Sequence, residues 1–390
     1  MDSLWRRLSG RRRDSRVESR RGRLRACAAC ALLLTATGYA ESWKLQYFYD
    51  QDRETLVIND LKCPTARRCI ATGSIESEKG SGKPTAVVTA DAGAHWALVP
   101  LKEQPVSLYM LDDSTGWYVS PKNLWKTIEG GRSWGKAGKL PQGILRVWFL
   151  DASHGFAVGA RKTVLETVDG GAEWKPVPAA GEPKTREDHT VYSWIEFVDG
   201  RNGMISGFSR PPRRDDGSDL PDWVNAEKAT HRREWPTVSI TMDTHDGGKS
   251  WTATTASLFG QISRVHLSPT GIGLGLIGFS SNFEWPSEVF RVNWKTGKSA
   301  RVFRDHNRRI TDVAVVSDKL AYLAGTEIPG KLQQTPIPGK LKMYKSTDLE
   351  NWTEMEADYR ANAASALLAA PDANNLYVAT DTGMILKLQP

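Results

Sequence analysis

The chain has 390 residues, 40% hydrophobic and 25% charged, a soluble globular composition with length enough for one large domain or two ordinary ones. Fifteen Trp and 34 Gly are its unusual counts, and a repeat that spends one Trp per unit would explain them. The formal charge of +7 invites a polyanionic partner, but ten Arg against Asp2, Asp14 and Glu18 place all of it in residues 1–40 and leave the remainder neutral. The body therefore lacks the excess of Lys and Arg that displaces counterions, and nucleic acid is excluded as a partner.

Residues 1–40 read as an export signal. An Arg-rich region is followed by the short apolar run Ala26–Tyr39 and by the small residues Gly38 and Ala40 at a cut site. The run is too short to span a bilayer, so no transmembrane segment is expected after its removal. Ser19-Arg20-Arg21-Gly22-Arg23-Leu24-Arg25 resembles the twin-arginine consensus, with Arg23 where Phe usually stands; general secretion is the other route. Cys30 opens the apolar run instead of following it, which argues against a lipoprotein cleavage site. The expected location is the bacterial periplasm or the exterior, with a thylakoid lumen as the alternative. Cys63 and Cys69, in Cys-Pro-Thr-Ala-Arg-Arg-Cys, are expected to form a disulfide there, since no further metal ligands lie near them.

From residue 41 onward the chain repeats. Ser42–Phe48 has the look of a strand ending a unit, with Trp43 as its sealing residue. Leu56–Ile58 with Cys69–Gly73 is the first strand pair, followed by Ala86–Thr89 and the box Thr89-Ala-Asp91-Ala-Gly93-Ala-His-Trp96. Ser107–Leu111 with Gly116–Val119 leads to Thr127-Ile-Glu129-Gly-Gly-Arg-Ser-Trp134. Leu145–Leu150 with Phe156–Gly159 leads to Thr167-Val-Asp169-Gly-Gly-Ala-Glu-Trp174. Ser193–Val198 with Gly203–Gly207 leads, after an insertion at 209–236, to Thr244-His-Asp246-Gly-Gly-Lys-Ser-Trp251. Arg264–Leu267 with Ile272–Phe279 ends in a unit whose box has been lost near Asn293–Gly297. Thr311–Val316 with Leu320–Gly325 precedes the shortened box Ser346-Thr-Asp348-Leu-Glu-Asn-Trp352. Ala366–Ala370, Leu376–Thr380 and Met384–Leu388 close the series.

Two strands, a third, a box and a fourth make a four-stranded blade of about 40 residues, the period of a β-propeller. Trp96 to Trp134 is 38 residues and Trp134 to Trp174 is 40. Counting strand pairs gives seven blades, with eight as the alternative. The fold class is thus all-β: a seven-bladed propeller of four-stranded antiparallel blades over residues 41–390, closed by the N-terminal strand pairing with the C-terminal blade, so that no sheet edge is left at the join. Within the box, Asp is a turn residue that accepts backbone N–H groups, Gly takes positive φ and Trp covers the hairpin. Asp91, Glu129, Asp169, Asp246 and Asp348, with Trp96, Trp134, Trp174, Trp251 and Trp352, are therefore structural and not catalytic.

Gly155-Phe-Ala-Val-Gly159 through Trp174 resembles the photosystem II stability/assembly factor repeat, within the wider BNR or Asp-box superfamily. The resemblance spans residues 43–390, and it implies a non-enzymatic exported propeller that helps assemble membrane proteins. Sialidases share the box but carry a Phe-Arg-Ile-Pro segment that this chain lacks.

The other chemical signals are weak. Asp246-Gly-Gly-Lys249-Ser250 lacks the first glycine and the helix of a phosphate loop. Asp215–Asp219 lacks the Glu of a calcium loop, since Ala226 stands at its twelfth position. The seven His show no metal-ligand spacing. No catalytic residue, metal or cofactor is expected. The segments 74–84, 209–236, 280–288 and 326–341 all read as loops between second and third strands, on the face opposite the boxes. Long loops on a rigid scaffold are where binding resides. Arg210, Arg213, Arg214, Trp223, Arg232, Arg233 and Trp235, with Phe283 and Trp285, have the composition of interface anchors. The expected partner is a protein, such as a membrane-protein assembly intermediate, bound by a monomer. Carbohydrate binding and glycoside hydrolysis remain the alternatives.

Overall fold

A computed structural model describes residues 41–77, 80–210, 236–279, 283–328, 339–357 and 363–389. These form seven four-stranded antiparallel sheets. In chain order the strands begin with β1 (Ser42–Phe48). Blade 1 is β2 (Glu54–Lys62), β3 (Cys69–Ser77), β4 (Gly80–Thr89) and β5 (Ala97–Pro100). Blade 2 is β6 (Ser107–Met110), β7 (Gly116–Val119), β8 (Asn123–Thr127) and β9 (Gly135–Lys139). Blade 3 is β10 (Ile144–Phe149), β11 (Gly155–Gly159), β12 (Val164–Thr167) and β13 (Lys175–Pro176). Blade 4 is β14 (Thr190–Phe197), β15 (Gly203–Ser209), β16 (Thr237–Thr244) and β17 (Thr252–Leu258). Blade 5 is β18 (Gln261–Leu267), β19 (Ile272–Gly278), β20 (Ser287–Asn293) and β21 (Lys298–Arg304). Blade 6 is β22 (Arg308–Val315), β23 (Ala321–Glu327), β24 (Leu341–Ser346) and β25 (Thr353–Met355). Blade 7 is β26 (Ala366–Asp372), β27 (Asn375–Thr380) and β28 (Met384–Gln389), completed by β1, with Trp43 opposite Leu388.

Seven blades, and not eight, close the ring. One of the expected loops is absent: residues 74–84 are mostly strand, since β3 and β4 run on as a long hairpin through Ser77 and Gly80. The other three segments interrupt their sheets between second and third strands.

The core is divided among the seams. Each of seven apolar clusters lies between two adjacent blades, as Ile70, Leu108 and Tyr118 do between blades 1 and 2, and Phe156, Tyr192 and Trp251 between blades 3 and 4. Burial of this kind, about 25 cal/mol per Å² of apolar surface, is what holds one blade to the next.

The boxes sit at those seams, between third and fourth strands. In each, the Thr hydroxyl accepts the N–H of the glycine four residues on, Gly93, Gly131, Gly171 or Gly248, at 2.9–3.1 Å. In three of them it also donates to the Asp carboxylate at 2.8–2.9 Å. The Asp then accepts the amide of residue 95, 173 or 250 across the turn at 2.9–3.0 Å. Those bonds hold the carboxyls of Asp91, Asp169 and Asp246 below the ordinary range, Asp246 at about 2 chiefly through Ser250. Gly248 needs to be glycine twice over. Its φ is +88°, and a Cβ there would lie 2.1 Å from Cζ of the fully buried Phe156 in blade 3. Gly297, in the lost box of blade 5, has φ +66° but open space around its Cβ position.

The disulfide Cys63–Cys69 closes the β2–β3 turn, with Cys69 fully buried.

Gly248→Ala is expected to lower the unfolding free energy by roughly 2–4 kcal/mol, strain and clash together, against about 1 kcal/mol for Gly297→Ala. Urea melts of the two variants check this; equal losses would mean that the seam contact contributes nothing. Reduction of Cys63–Cys69 is expected to cost about 2 kcal/mol, the loop-entropy value for so short a loop, read from melts with and without dithiothreitol.

Candidate functional site

Two places concentrate chemistry: the central axis and the face opposite the boxes. The axis is lined by each blade's first strand. Five of these strands, β2, β10, β14, β18 and β22, carry a bulge at the same place, between Ile58 and Asp60, Ile144 and Arg146, Tyr192 and Trp194, Ile262 and Arg264, and Ile310 and Asp312. A bulge bends its strand and re-aims the side chain that follows, and here that side chain is Asp60, Arg146, Trp194, Arg264 or Asp312. Lys62, Glu196 and His266, two residues further on, share the same side of their strands.

In the resulting cluster Asp60, Trp194, Glu196 and Asp312 are buried, while Lys62, Arg146, Arg264 and His266 are partly exposed beside them. Arg146 stands 4.1 Å and Arg264 5.1 Å from the Trp194 ring centroid, reaching it from the two flanking strands. Asp60 pairs with Lys62 at 3.2 Å and Arg146 at 3.7 Å, and Asp312 with Arg264 at 3.2 Å. Each acid also takes a backbone N–H from the next blade: Asp60 from Leu108 at 2.9 Å, Glu196 from Leu267 at 2.7 Å and Asp312 from Leu368 at 2.8 Å. Burial pushes the Asp60 carboxyl up, but Lys62, Arg146 and the Leu108 amide outweigh it and hold it below the ordinary range. Glu196 goes the other way. Burial raises it to about 8, and burial lowers its neighbour His266, 3.7 Å away, to about 4. Arg146 falls to about 10 through burial and the nearby Arg264. Near pH 7 the Glu196–His266 pair is therefore neutral, and the axis keeps its cations.

Sequence reasoning missed this cluster. Its signal is an apolar residue, one spacer and then a charged or aromatic residue in the first strand of five units, which shows only once the first strands are aligned with each other.

On the loop face, Phe279 stacks on Phe283 with centroids 4.2 Å apart, and Phe283 meets Trp285 edge-on at 5.9 Å. Arg304 lies over Trp285 at 3.7 Å and His306 touches its edge at 5.4 Å. Phe259, 47% exposed, extends the group to 6.1 Å from Phe283. Phe259 and His306 come from connections between blades, which emerge on the same face as the second-to-third loops. Arg210 ends β15 on this face. Arg213, Arg214, Trp223, Arg232, Arg233 and Trp235 lie outside the described residues. Among the described residues no group of three His, Cys, Asp or Glu could hold a metal ion, and no helix is long and apolar enough to cross a membrane.

Since Glu196 binds more protons folded than unfolded, its contribution to stability falls as pH rises from about 4.3 to 8. His266 does the reverse between about 4 and 6.5. The two offset each other below about 6.5, so a net decline of at most about 1.4 kcal/mol per pH unit is expected between pH 6.5 and 8. Glu196→Gln should remove that slope in urea melts across the window; an unchanged slope would place the titrating group elsewhere.

Comparison with known proteins agrees with this architecture. The family model described as photosynthesis system II assembly factor YCF48 matches residues 137–211, from β9 through blade 3 into blade 4. The photosystem II assembly protein Ycf48 of Thermosynechococcus vestitus is 26% identical over 260 residues, covering 62% of this chain and 68% of that protein. The photosystem II assembly lipoprotein Ycf48 of Nostoc sp. is 25% identical over 243 residues, covering 59% and 68%. Two solved structures share the fold. YCF48 bound to D1 peptide has a TM-score of 0.56 and 14% identity, covering 88% of this chain and 99% of that one. YCF48 from Cyanidioschyzon merolae has a TM-score of 0.54 and 16% identity, covering 90% and 99%. With its box turns and its seven blades, the chain is a seven-bladed β-propeller of Asp-box repeats that is similar, over part of its length, to the photosystem II assembly proteins named Ycf48.

Proposed function

We propose that the protein is an exported, non-catalytic scaffold that holds a protein partner on the face opposite its Asp-boxes. The observation that carries this is the aromatic group Phe259, Phe283 and Trp285, from loops beside strand ends, with Arg304 at the end of β21, away from the box turns. Partly exposed aromatics beside a guanidinium are the side chains that dominate protein interfaces. The relatives named as photosystem II assembly proteins, one of them solved with a D1 peptide, support the same reading and suggest a membrane protein during assembly as the partner class. The Arg and Trp residues of the insertion at 209–236 are proposed, from their sequence, to take part in the same partner binding. The Arg-rich leader, read as a twin-arginine-like signal over residues 1–40, would deliver the propeller to the periplasm or a lumen. Some relatives are named lipoproteins, and Cys30 is the leader residue to test for such an anchor.

The hydrolase alternative would need a pair of free acids. The axial acids Asp60, Glu196 and Asp312 each hold a backbone amide of the adjacent blade, and two of them are ion-paired with Arg. The box acids are tied into their turns.

The test is capture from solubilised native envelope by the immobilised mature protein. Phe283→Ser with Trp285→Ala is expected to cut capture at least about tenfold, the loss of one good aromatic anchor, with unchanged urea melts. Asp169→Ala is expected to lower stability and leave capture per folded molecule intact. Full capture by the aromatic double variant would move the partner to another surface.

A further inference from the structure

A propeller hides most strand edges within its blades but leaves one outer edge per blade, and an open edge invites another strand. Six of the seven are guarded. β1 carries Lys44 and a bulge. β5 has four residues and ends in Pro100, and β13 is only Lys175-Pro176. β9 carries Lys136, Lys139 and a bulged pairing. β21 carries Lys298, Arg301 and Arg304 with a bulge, and β25 has three residues including Glu354. β17 has none of these devices. Its seven residues, Thr-Ala-Thr-Thr-Ala-Ser-Leu, hold no charge and no proline, pair with β16 in unbroken register from Thr252 to Leu258, and are mostly exposed. The turn Pro178–Gly181 comes near β17 but makes no backbone hydrogen bond to it, and no other described residue does on its outer side.

We infer that the outer edge of β17 takes up an extended, uncharged segment of a protein partner as a fifth strand of blade 4, with an apolar side chain of that segment seated on Phe259. Main-chain hydrogen bonds supply the affinity in such strand addition, and alternate side chains supply the selectivity. Neutrality is the first constraint on the occupant, because a charged residue opposite this edge would meet no counter-charge along seven positions. The far end is the second. β17 runs from Leu258 directly into Phe259, which leads to Phe283 and Trp285, so a strand continuing past Leu258 arrives at the aromatic face. A second copy paired antiparallel through β17 would instead bring its own Lys249-Ser250 turn there, a polar turn against an exposed ring. The aromatic end therefore selects an extended partner segment over self-association. This rests on the partner-binding reading and places part of that partner on the blade edge.

The probe is a capped, uncharged peptide, acetyl-Phe-Thr-Val-Thr-Val-Thr-Ser-amide. Antiparallel pairing, as throughout the blades, would set its Phe beside Phe259. Saturable binding is expected, with slowed hydrogen exchange at the amides of Thr252–Leu258. Thr255→Lys and Phe259→Ser should each weaken binding at least tenfold while melting like the parent, as should methylation of alternate peptide amides. Absence of saturable binding up to about 1 mM, binding indifferent to Thr255→Lys, or a dimer of the parent protein that Thr255→Lys dissolves would each overturn the inference. Envelope capture that Thr255→Lys leaves untouched would sink the edge alone, whereas no capture by the parent protein would sink the partner-binding reading itself.

Discussion

The fold depends on one close approach, repeated around the ring. In each complete box a glycine at positive φ is pressed against a side chain of the preceding blade: Gly131 on Ile70, Gly171 on Leu124 and Gly248 on Phe156, while Gly93 meets Gln46 and Tyr377 of the closing blade. The Thr hydroxyl fixes the glycine amide, the Asp fixes the rest of the turn and the Trp covers it. This explains why the box needs its residue types and why its acid is unavailable for chemistry. The degenerate units support the point, because each replaces the contact in another way. Leu349 adopts φ +61° in the shortened box of blade 6 and is fully buried in the cluster between blades 5 and 6. In blade 5 the Trp294 ring packs into the seam with blade 4 and donates to Asp243 at 2.7 Å.

The axis solves a different problem. Seven first strands converge where no fourth layer covers them, and apolar side chains alone do not set how far one blade slides along the next. A carboxylate that accepts an amide from the neighbouring blade does set it, since the bond exists only in one alignment. Asp60, Glu196 and Asp312 do this at the seams between blades 1 and 2, 4 and 5, and 6 and 7, and at the last of these Thr311 adds the Ala366 amide and carbonyl at 3.0 and 2.8 Å. Burying these acids is tolerable because the half-buried Lys62, Arg146 and Arg264 pair with Asp60 and Asp312, and burial raises the Glu196 carboxyl so that it stays protonated. The spare positive charge remains at the centre of the ring.

What was legible in the sequence follows from range. The box is eight contiguous residues, so four copies reveal the repeat and its turn chemistry, and the strand pairs around them give the seven blades and the closing strand without any structure. Residues 74–84 misled because Gly80, Ser81 and Gly82 resemble a loop, whereas Gly in a hairpin can also let two strands run on close together. The axial cluster was invisible because it is assembled from one or two residues per blade, with Asp60 and Arg264 separated by more than half the chain. Its enabling feature, the bulge, is a register shift and not a residue type. Phe283 and Trp285 were legible as anchors, while Phe259 and Arg304 joined them only through the fold, one from the connection between blades 4 and 5 and the other from the end of β21.

Departures from the repeat are not spread evenly. The insertion at 209–236, the missing box of blade 5, the exposed Phe259 and the unguarded β17 all belong to blades 4 and 5. So does the seam with the smallest apolar cluster among the described residues, in which Trp194, Met204 and Val265 are the buried members. In a repeat protein each unit can satisfy the same local rules, so a rule abandoned in one sector with no structural gain marks selection for something other than stability. The polar seam is compensated by the Trp294–Asp243 and Leu267–Glu196 bonds. The bare edge of β17 and the exposed ring of Phe259 have no such compensation within the described chain. That asymmetry directs attention to blades 4 and 5, and not to the regular blades 1–3, as the working side of the molecule.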